Sequence, residues 1–280
     1  MVVKKYLIIG LVLSYTGLFW LWNELPDGMV HLAFLDVGQG DATLITSEYG
    51  HNILIDGGPM SNVLTELNGR IPFFMKEIDL MVLTHPHSDH LDGLIEVFKR
   101  YEVKNVLITG VEYNNSYYKE FLKNISDREN VNVYFARADE DFRIGGLYFD
   151  TIYPITSLVG ESLKNVNNSS IGFVVSFSDN DGVKRKILLN GDNEMEVEKE
   201  ILAEYGDKPE RVDIFKASHH GSKTANTMDF LKKFRPTTVV ISCGEGNKFG
   251  HPHAESIYNF QQIGAKVLRT DLNGTLEFEW

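Results

Sequence analysis

The sequence predicts an α/β fold of two sheets, each covered by helices on its outer side. Short runs rich in β-branched residues alternate with segments of helical spacing from Met29 onward. The first of these runs follow one another through glycine turns, as a hairpin series does. The second half of the chain then repeats the plan of the first.

Val30, Leu32 and Phe34 alternate with His31, Ala33 and Leu35, which predicts the first strand. The glycine-rich turn Val37–Asp41 leads to a second strand, Ala42 to Thr46. Tyr49-Gly50 turns the chain into a third, Asn52 to Ile55, ending in Asp56-Gly57-Gly58. Ser61 to Gly69 reads as helix, and the apolar run Ile78 to Thr84 as a strand covered on both faces. Leu91, Leu94, Ile95 and Phe98 then recur at helical spacing. Strand 103–109, helix 116–125, strand 131–135 and a hairpin over 142–153 complete the first half. Strands 171–178 and 184–190, helix 194–204, strand 212–217, helix 226–234, strand 237–242, helix 254–263 and strands 266–269 and 275–279 make up the second.

Composition narrows the function. A 43% hydrophobic content is ample for one large core. The formal charge of −12 argues against a broad grip on nucleic acid, which needs many Lys and Arg. A single cysteine, Cys243, excludes an intramolecular disulfide and any cysteine-rich metal site. Metal ligands would have to be His, Asp or Glu.

The N-terminus places Lys4-Lys5 before an apolar run from Tyr6 to Trp22. At about 1.5 Å per residue, roughly 17 residues nearly span the ~30 Å hydrocarbon core of a bilayer. Trp20 and Trp22 stand where interfacial aromatics belong, and the basic pair marks the cytoplasmic end. The leading expectation is an uncleaved transmembrane signal anchor with the rest of the chain extracytoplasmic. A cleaved signal peptide, which would make the protein secreted, and a buried core helix are the alternatives. Residues 1–28 are therefore expected to be anchor and linker, with Pro26-Asp27-Gly28 as the linker, and residues 29–280 the folded domain.

Seven of the nine histidines fall in three knots, at 85/87/90, 219/220 and 251/253. His85 and His87 lie two apart just past a strand end, so both rings can meet one metal. Asp89 and His90 open the next helix and point differently, which suits a second metal. Imidazole with carboxylate fits zinc, manganese or iron. Asp192, after the apolar strand ending at Leu189, is a candidate bridging carboxylate; a plain turn aspartate or helix cap is the alternative. One of His219 and His220, which end strand 212–217, is a candidate ligand.

Six motifs then stand in a telling order: Phe34-Leu-Asp-Val-Gly-Gln-Gly-Asp41, Ile53-Leu-Ile-Asp-Gly-Gly58, Leu83-Thr-His-Pro-His-Ser-Asp-His90, Gly191-Asp192, His219-His-Gly-Ser222 and Gly250-His-Pro-His253. Over roughly residues 30–280 the chain resembles the metallo-β-lactamase superfamily, and most of all the extracytoplasmic hydrolase domain of ComEC-type competence proteins. The resemblance implies a four-layer αβ/βα sandwich. It implies His85 and His87 on one metal, Asp89 and His90 on the other, Asp192 bridging, and His220 rather than His219 as the last ligand. Asp56 would orient the ligand loop from behind, and Asp41 would do the same or simply fill a hairpin turn. A further histidine common in the superfamily is replaced here by Asn167-Asn168-Ser169-Ser170, and Asn168 is a candidate substrate contact. The ComEC membrane channel has no counterpart in this chain.

Two divalent ions, Zn2+ first and Mn2+ second, would activate water and clamp a substrate's oxygens. Phosphodiester hydrolysis suits this best, with Asp89, His219, His251 and His253 in catalytic roles and Ser222, Lys223 and Thr224 as phosphate contacts. His251-Pro-His253 as a loop and helix cap is the alternative. The expected substrate is a phosphoester, with single-stranded DNA or an oligonucleotide first and a nucleotide or phosphorylcholine-type ester second. A metal-stabilised binding module is the reading outside enzymes. A β-lactamase is disfavoured by the missing histidine.

Overall fold

The computed structural model describes Tyr6, residues 10–17 and residues 25–280. In chain order the first half runs β1 (His31–Phe34), β2 (Thr43–Thr46), β3 (Asn52–Ile55), α1 (Asn62–Asn68), β4 (Glu77–Ile78), β5 (Leu80–Val82), α2 (Ser88–Phe98), β6 (Glu102–Val103), β7 (Asn105–Ile108), α3 (Ser116–Ser126) and β8 (Asn132–Phe135). The second half runs β9 (Phe142–Ile144), β10 (Leu147–Tyr153), β11 (Gly172–Ser178), β12 (Lys184–Leu189), α4 (Met195–Tyr205), β13 (Ile214–Lys216), α5 (Met228–Phe234), β14 (Thr238–Ile241), α6 (Ala254–Gln262), β15 (Lys266–Arg269), α7 (Thr270–Asn273) and β16 (Leu276–Glu279).

The sheets have matching plans. The first is ordered β16-β1-β2-β3-β5-β7-β8 and the second β15-β14-β13-β12-β11-β10-β9. In each, the strands that follow one another without an intervening α-helix pair antiparallel. Those joined through helices pair parallel, since a parallel pair needs a long crossover. The last strand, β16, returns to pair with β1 and closes the first sheet. A short parallel pair, β4 with β6, is an addition that the sequence did not announce.

Three apolar layers separate four layers of structure. Leu54, Met81 and Val106 face Leu91, Leu94 and Phe121 on the helical side of the first sheet. Phe34, Val82, Phe149, Phe173 and Leu189 fill the space between the sheets. Leu188, Phe215 and Val239 meet Val197, Phe230 and Phe260 beneath the second set of helices. Each fully buried Phe or Leu contributes roughly 1.5–3 kcal/mol relative to exposure. The expected αβ/βα sandwich is thus what folds.

Pro26-Asp27-Gly28, expected as a linker, is exposed and touches the domain at a few points. The Asp27 carboxylate accepts from the Met29 N–H at 2.9 Å and lies 3.0 Å from His31 Nε2. A Cβ on Gly50 would meet the Pro26 ring. Residues 10–17 are helical, but the rest of the expected anchor at 6–22, Tyr6 apart, lies outside the described residues. Among the described residues no helix is long and apolar enough to cross a membrane.

Cys243 follows β14 and is fully buried, with its N–H and carbonyl both bonded to the Thr270 hydroxyl. Burial, with Asp271 nearby, pushes its thiol up to about 12. Thiolate is the reactive form. The native protein is therefore expected to resist a charged disulfide reagent at about pH 8 and to react with one equivalent once unfolded. Fast labelling of the native thiol would contradict the packing.

Candidate metal centre

All the candidate ligands sit beyond the carboxyl ends of parallel strands, where open α/β sheets place their ligand sites. β5 delivers the 84–90 loop, β12 delivers Asn190–Asn193 and β13 delivers Ser218–Ser222. The two sheets face each other, so these loops meet across the sandwich.

His87 is the N-cap residue of α2, with extended backbone, and Asp89 and His90 occupy its first turn. The helix can lie this close to β3 because of glycine. A Cβ on Gly93 would collide with the Gly57 carbonyl. The Gly57 N–H donates to the His90 carbonyl at 2.7 Å, and the Gly93 N–H to the Gly58 carbonyl at 2.9 Å.

Asp56 lies behind the loop, buried, with φ at 59°. Its carboxylate accepts from the Thr84 N–H at 2.8 Å and the Thr84 hydroxyl at 2.7 Å, and meets His90 Nδ1 at 2.8 Å. His90 Nε2 is thereby aimed forward. A non-glycine residue in the left-handed region costs of order 1–3 kcal/mol, which these bonds offset.

In front of that loop, His85 Nε2 lies 3.1 Å from His87 Nδ1. Asp192 Oδ2 lies 3.2 Å from both His90 Nε2 and His220 Nε2. His220 Nε2 is also 3.4 Å from Asp89 Oδ2. Ligand atoms converge in the sets His85-His90-Asp192, Asp89-His90-His220 and Asp41-Asp192-His220. His87 joins through His85. Yet His90 Nε2, His220 Nε2 and Asp192 Oδ1 are buried without a hydrogen-bond partner. Buried polar atoms are normally paired; here the two Nε2 atoms converge on Asp192 Oδ2, and Asp192 Oδ1 lies on the Lys216 side. Imidazole and carboxylate donors orphaned around one cavity fit a divalent cation. His85, His87, Asp89, His90, Asp192 and His220 are the residues that would hold it.

The backs of the ligands are held as well. His220 Nδ1 donates to the Ser242 carbonyl at 3.0 Å and lies 3.2 Å from Asp41 Oδ1. Asp41 in turn pairs with the buried ammonium of Lys216, which stands 3.6 Å from Asp192 Oδ1. Burial opposes charge on Lys216, but Asp41 and Asp192 hold its pKa above the ordinary lysine value. Ser170 ties the halves together. Its hydroxyl accepts from the Asp192 N–H at 2.9 Å and lies 3.1 Å from His85 Nδ1.

The electrostatics are those of a site in which protons and cations compete. Burial would lower His90 and His220, yet Asp192, with Asp56 beside one and Asp41 beside the other, raises both well above the ordinary histidine value. Burial would raise Asp192, and the His220 and His90 charges hold it well below the carboxylate range. A metal needs neutral imidazoles, so binding must displace these protons. Zinc titrated into metal-free protein near neutral pH in weak buffer is expected to release protons, and apparent affinity to rise with pH. Binding without proton release would contradict this arrangement.

The second rank of residues divides. His219, with φ at 49°, has Nδ1 at 3.1 Å from Glu194 Oε1 and Nε2 at 4.0 Å from Asp192 Oδ2. His251 lies with its ring 5.4 Å from His219 and 5.9 Å from His220. Burial and the neighbouring His220 and His219 bring it down to about 4, so it is neutral at physiological pH. His253 caps α6 and accepts from the Lys223 N–H at 3.3 Å. Lys223 is exposed, whereas Ser222 is buried, its hydroxyl shared with Thr224 at 3.0 Å. Asn168 Oδ1 accepts from the Glu194 N–H at 2.9 Å, and Asn167 Nδ2 donates to Glu194 Oε1 at 3.1 Å. The asparagine pair therefore braces Glu194, which braces His219.

Sequence reasoning missed Lys216, Ser170, Glu194, Glu198 and Asn226. Glu198 accepts from the Asn226 and Thr227 N–H groups at 2.6 and 2.9 Å, and Asn226 holds both polar groups of the Ser218 backbone. Only Lys216 left a signal, as a cation near the end of an apolar strand, two residues before Ser218.

Comparison with known proteins agrees with this geometry. Residues 35–160 match the metallo-beta-lactamase superfamily. The chain is 27% identical over 263 residues to ComE operon protein 3 of Bacillus subtilis, covering 88% of this chain and 32% of that protein. It is 28% identical over 260 residues to Recombination protein 2 of Haemophilus influenzae, covering 91% and 29% respectively. It therefore spans about a third of the length of these relatives. Among solved structures, Igni18, a metallo hydrolase from Ignicoccus hospitalis, superposes with a TM-score of 0.55 at 19% identity over 90% of this chain and 99% of that one. Residues 35–160 thus match a metallo-beta-lactamase superfamily domain, and over about nine-tenths of its length the chain is similar to ComE operon protein 3, to Recombination protein 2 and to Competence protein ComA of Neisseria gonorrhoeae.

Proposed function

We propose that this protein is a metal-dependent phosphodiesterase that cleaves single-stranded DNA or oligonucleotides. The observation that carries the reading is the buried cradle itself: ligand atoms from two halves of the chain converge while three of them stay unpaired. Two divalent cations bound there, zinc or manganese, would supply Lewis acidity and a water made nucleophilic near neutral pH.

The chain's own residues do the rest. Asp56 and Ser170 fix the faces that His90 and His85 present. Asp41 and Lys216 fix His220 and Asp192 from behind. His219, oriented by Glu194, keeps Nε2 toward Asp192 and is placed to give a proton to the leaving oxygen. Lys223, exposed beside Ser222, is a candidate phosphate contact. Kinship with competence proteins supports nucleic acid as substrate, and the charge of −12 favours a short single strand over a long duplex. Lys4-Lys5 and the apolar run after it support a membrane anchor with the domain extracytoplasmic.

The test compares turnover of a single-stranded oligonucleotide, bis-p-nitrophenyl phosphate and a β-lactam, with zinc or manganese added. Diester hydrolysis lost on chelation supports the reading. Metal binding without hydrolysis of any diester would defeat it in favour of a binding module.

A further inference from the structure

The loop between β14 and α6 carries an aromatic ring that the core does not use. Phe249 is 50% exposed and lies outside all three apolar layers. Its ring stacks on His251, with centroids 5.8 Å apart and planes inclined by 20°. His251 in turn lies 5.9 Å from His220. A shelf of two rings thus leads from solvent to a candidate ligand.

The shelf is braced. Asn247 Nδ2 donates to the Gly244 carbonyl at 2.9 Å and the His251 carbonyl at 2.7 Å, and its Oδ1 accepts from the His251 N–H at 3.0 Å. The Gly244 N–H donates to Gln39 Oε1 at 3.2 Å, which pins the loop to the opposite half of the fold. Lys248 holds its ammonium 5.1 Å from the Phe249 centroid, and Lys223 is exposed beside His253. Glu245, on the same loop, is the exposed carboxylate there.

We propose that Phe249, stacked on His251, is a platform for the nucleobase next to the phosphodiester being cleaved, with Lys248 meeting an adjoining phosphate. This rests on the phosphodiesterase reading and names the residues that would hold a base of its single-stranded substrate. Stacking tolerates any base, because every base has a π-face, and contributes about 1–3 kcal/mol per base.

The test uses the full chain and its Phe249→Ala and Phe249→Trp variants on thymidylyl-thymidine and on the same diester lacking either base. In the unaltered protein, losing the stacked base is expected to lower kcat/KM by about 5- to 150-fold. In Phe249→Ala that penalty is expected to fall to about twofold or less, and in Phe249→Trp to return. An equal penalty in all three proteins overturns the platform. Binding of a fluorescent dT oligomer, followed by anisotropy, reads the shelf without turnover. Weaker binding in Phe249→Ala, restored in Phe249→Trp, sustains it even if no diester is cleaved and the phosphodiesterase reading fails. Equal binding in all three overturns it.

Discussion

Asp192→Ala is expected to lose metal and diester hydrolysis together, with kcat/KM falling on the order of 10³-fold or more. The size of the effect follows from position. Asp192 leaves the end of β12 with its N–H held by Ser170, and its carboxylate lies between His90 and His220, at 3.2 Å from each. Without it, two imidazoles face each other with no anion between them, and the two halves of the ligand set lose their common member. The fold itself rests on three apolar layers that Asp192 does not enter. Far-ultraviolet circular dichroism should therefore be unchanged while metal analysis shows the loss. A variant that kept its full metal content would show that the carboxylate is not a ligand.

Lys216→Met is expected to destabilise the metal-free protein by about 3–5 kcal/mol, read by chemical denaturation. The side chain is buried, and its removal leaves the Asp41 carboxylate, also buried, without its ammonium partner and with only imidazoles beside it. Neutralising both members is expected to restore much of the loss, since the cost lies in an unpaired buried charge rather than in a missing contact. The double variant Asp41→Asn, Lys216→Met should thus be more stable than Lys216→Met alone. A single Lys216→Met variant as stable as the parent would contradict the pairing. The pair also links the turn before β2 to β13, so it locks one sheet's loops to the other's.

The strands and helices were legible because period-2 and period-3.6 patterns are local. Ala254–Gln262 and Ser116–Ser126 fall within a residue or two of the expected helices. The pair β4 and β6 was not legible, because two-residue strands carry no period. The candidate ligands were legible for a similar reason. His85, His87, Asp89 and His90 lie within six residues, and Asp192 and His220 each follow an apolar strand. What stayed hidden was what stands behind them. Ser170 matters because β5 and β12 bring His85 and the Asp192 backbone to one hydroxyl, and 85 residues separate it from His85. Glu198 and Asn226 look like an ordinary helix acid and a turn amide until the fold places them under the 218–222 loop. Asn168 read as a substrate contact because a histidine was expected near it; in the fold its side-chain amide oxygen accepts the Glu194 N–H.

Anomalous diffraction from crystals grown with zinc or manganese is the most direct trial of the shared cradle. The account predicts two peaks flanking the Asp192 carboxylate, one beside His85 and His87, the other beside Asp89 and His220. A map with no peak within bonding reach of both Asp192 and His220 would contradict it.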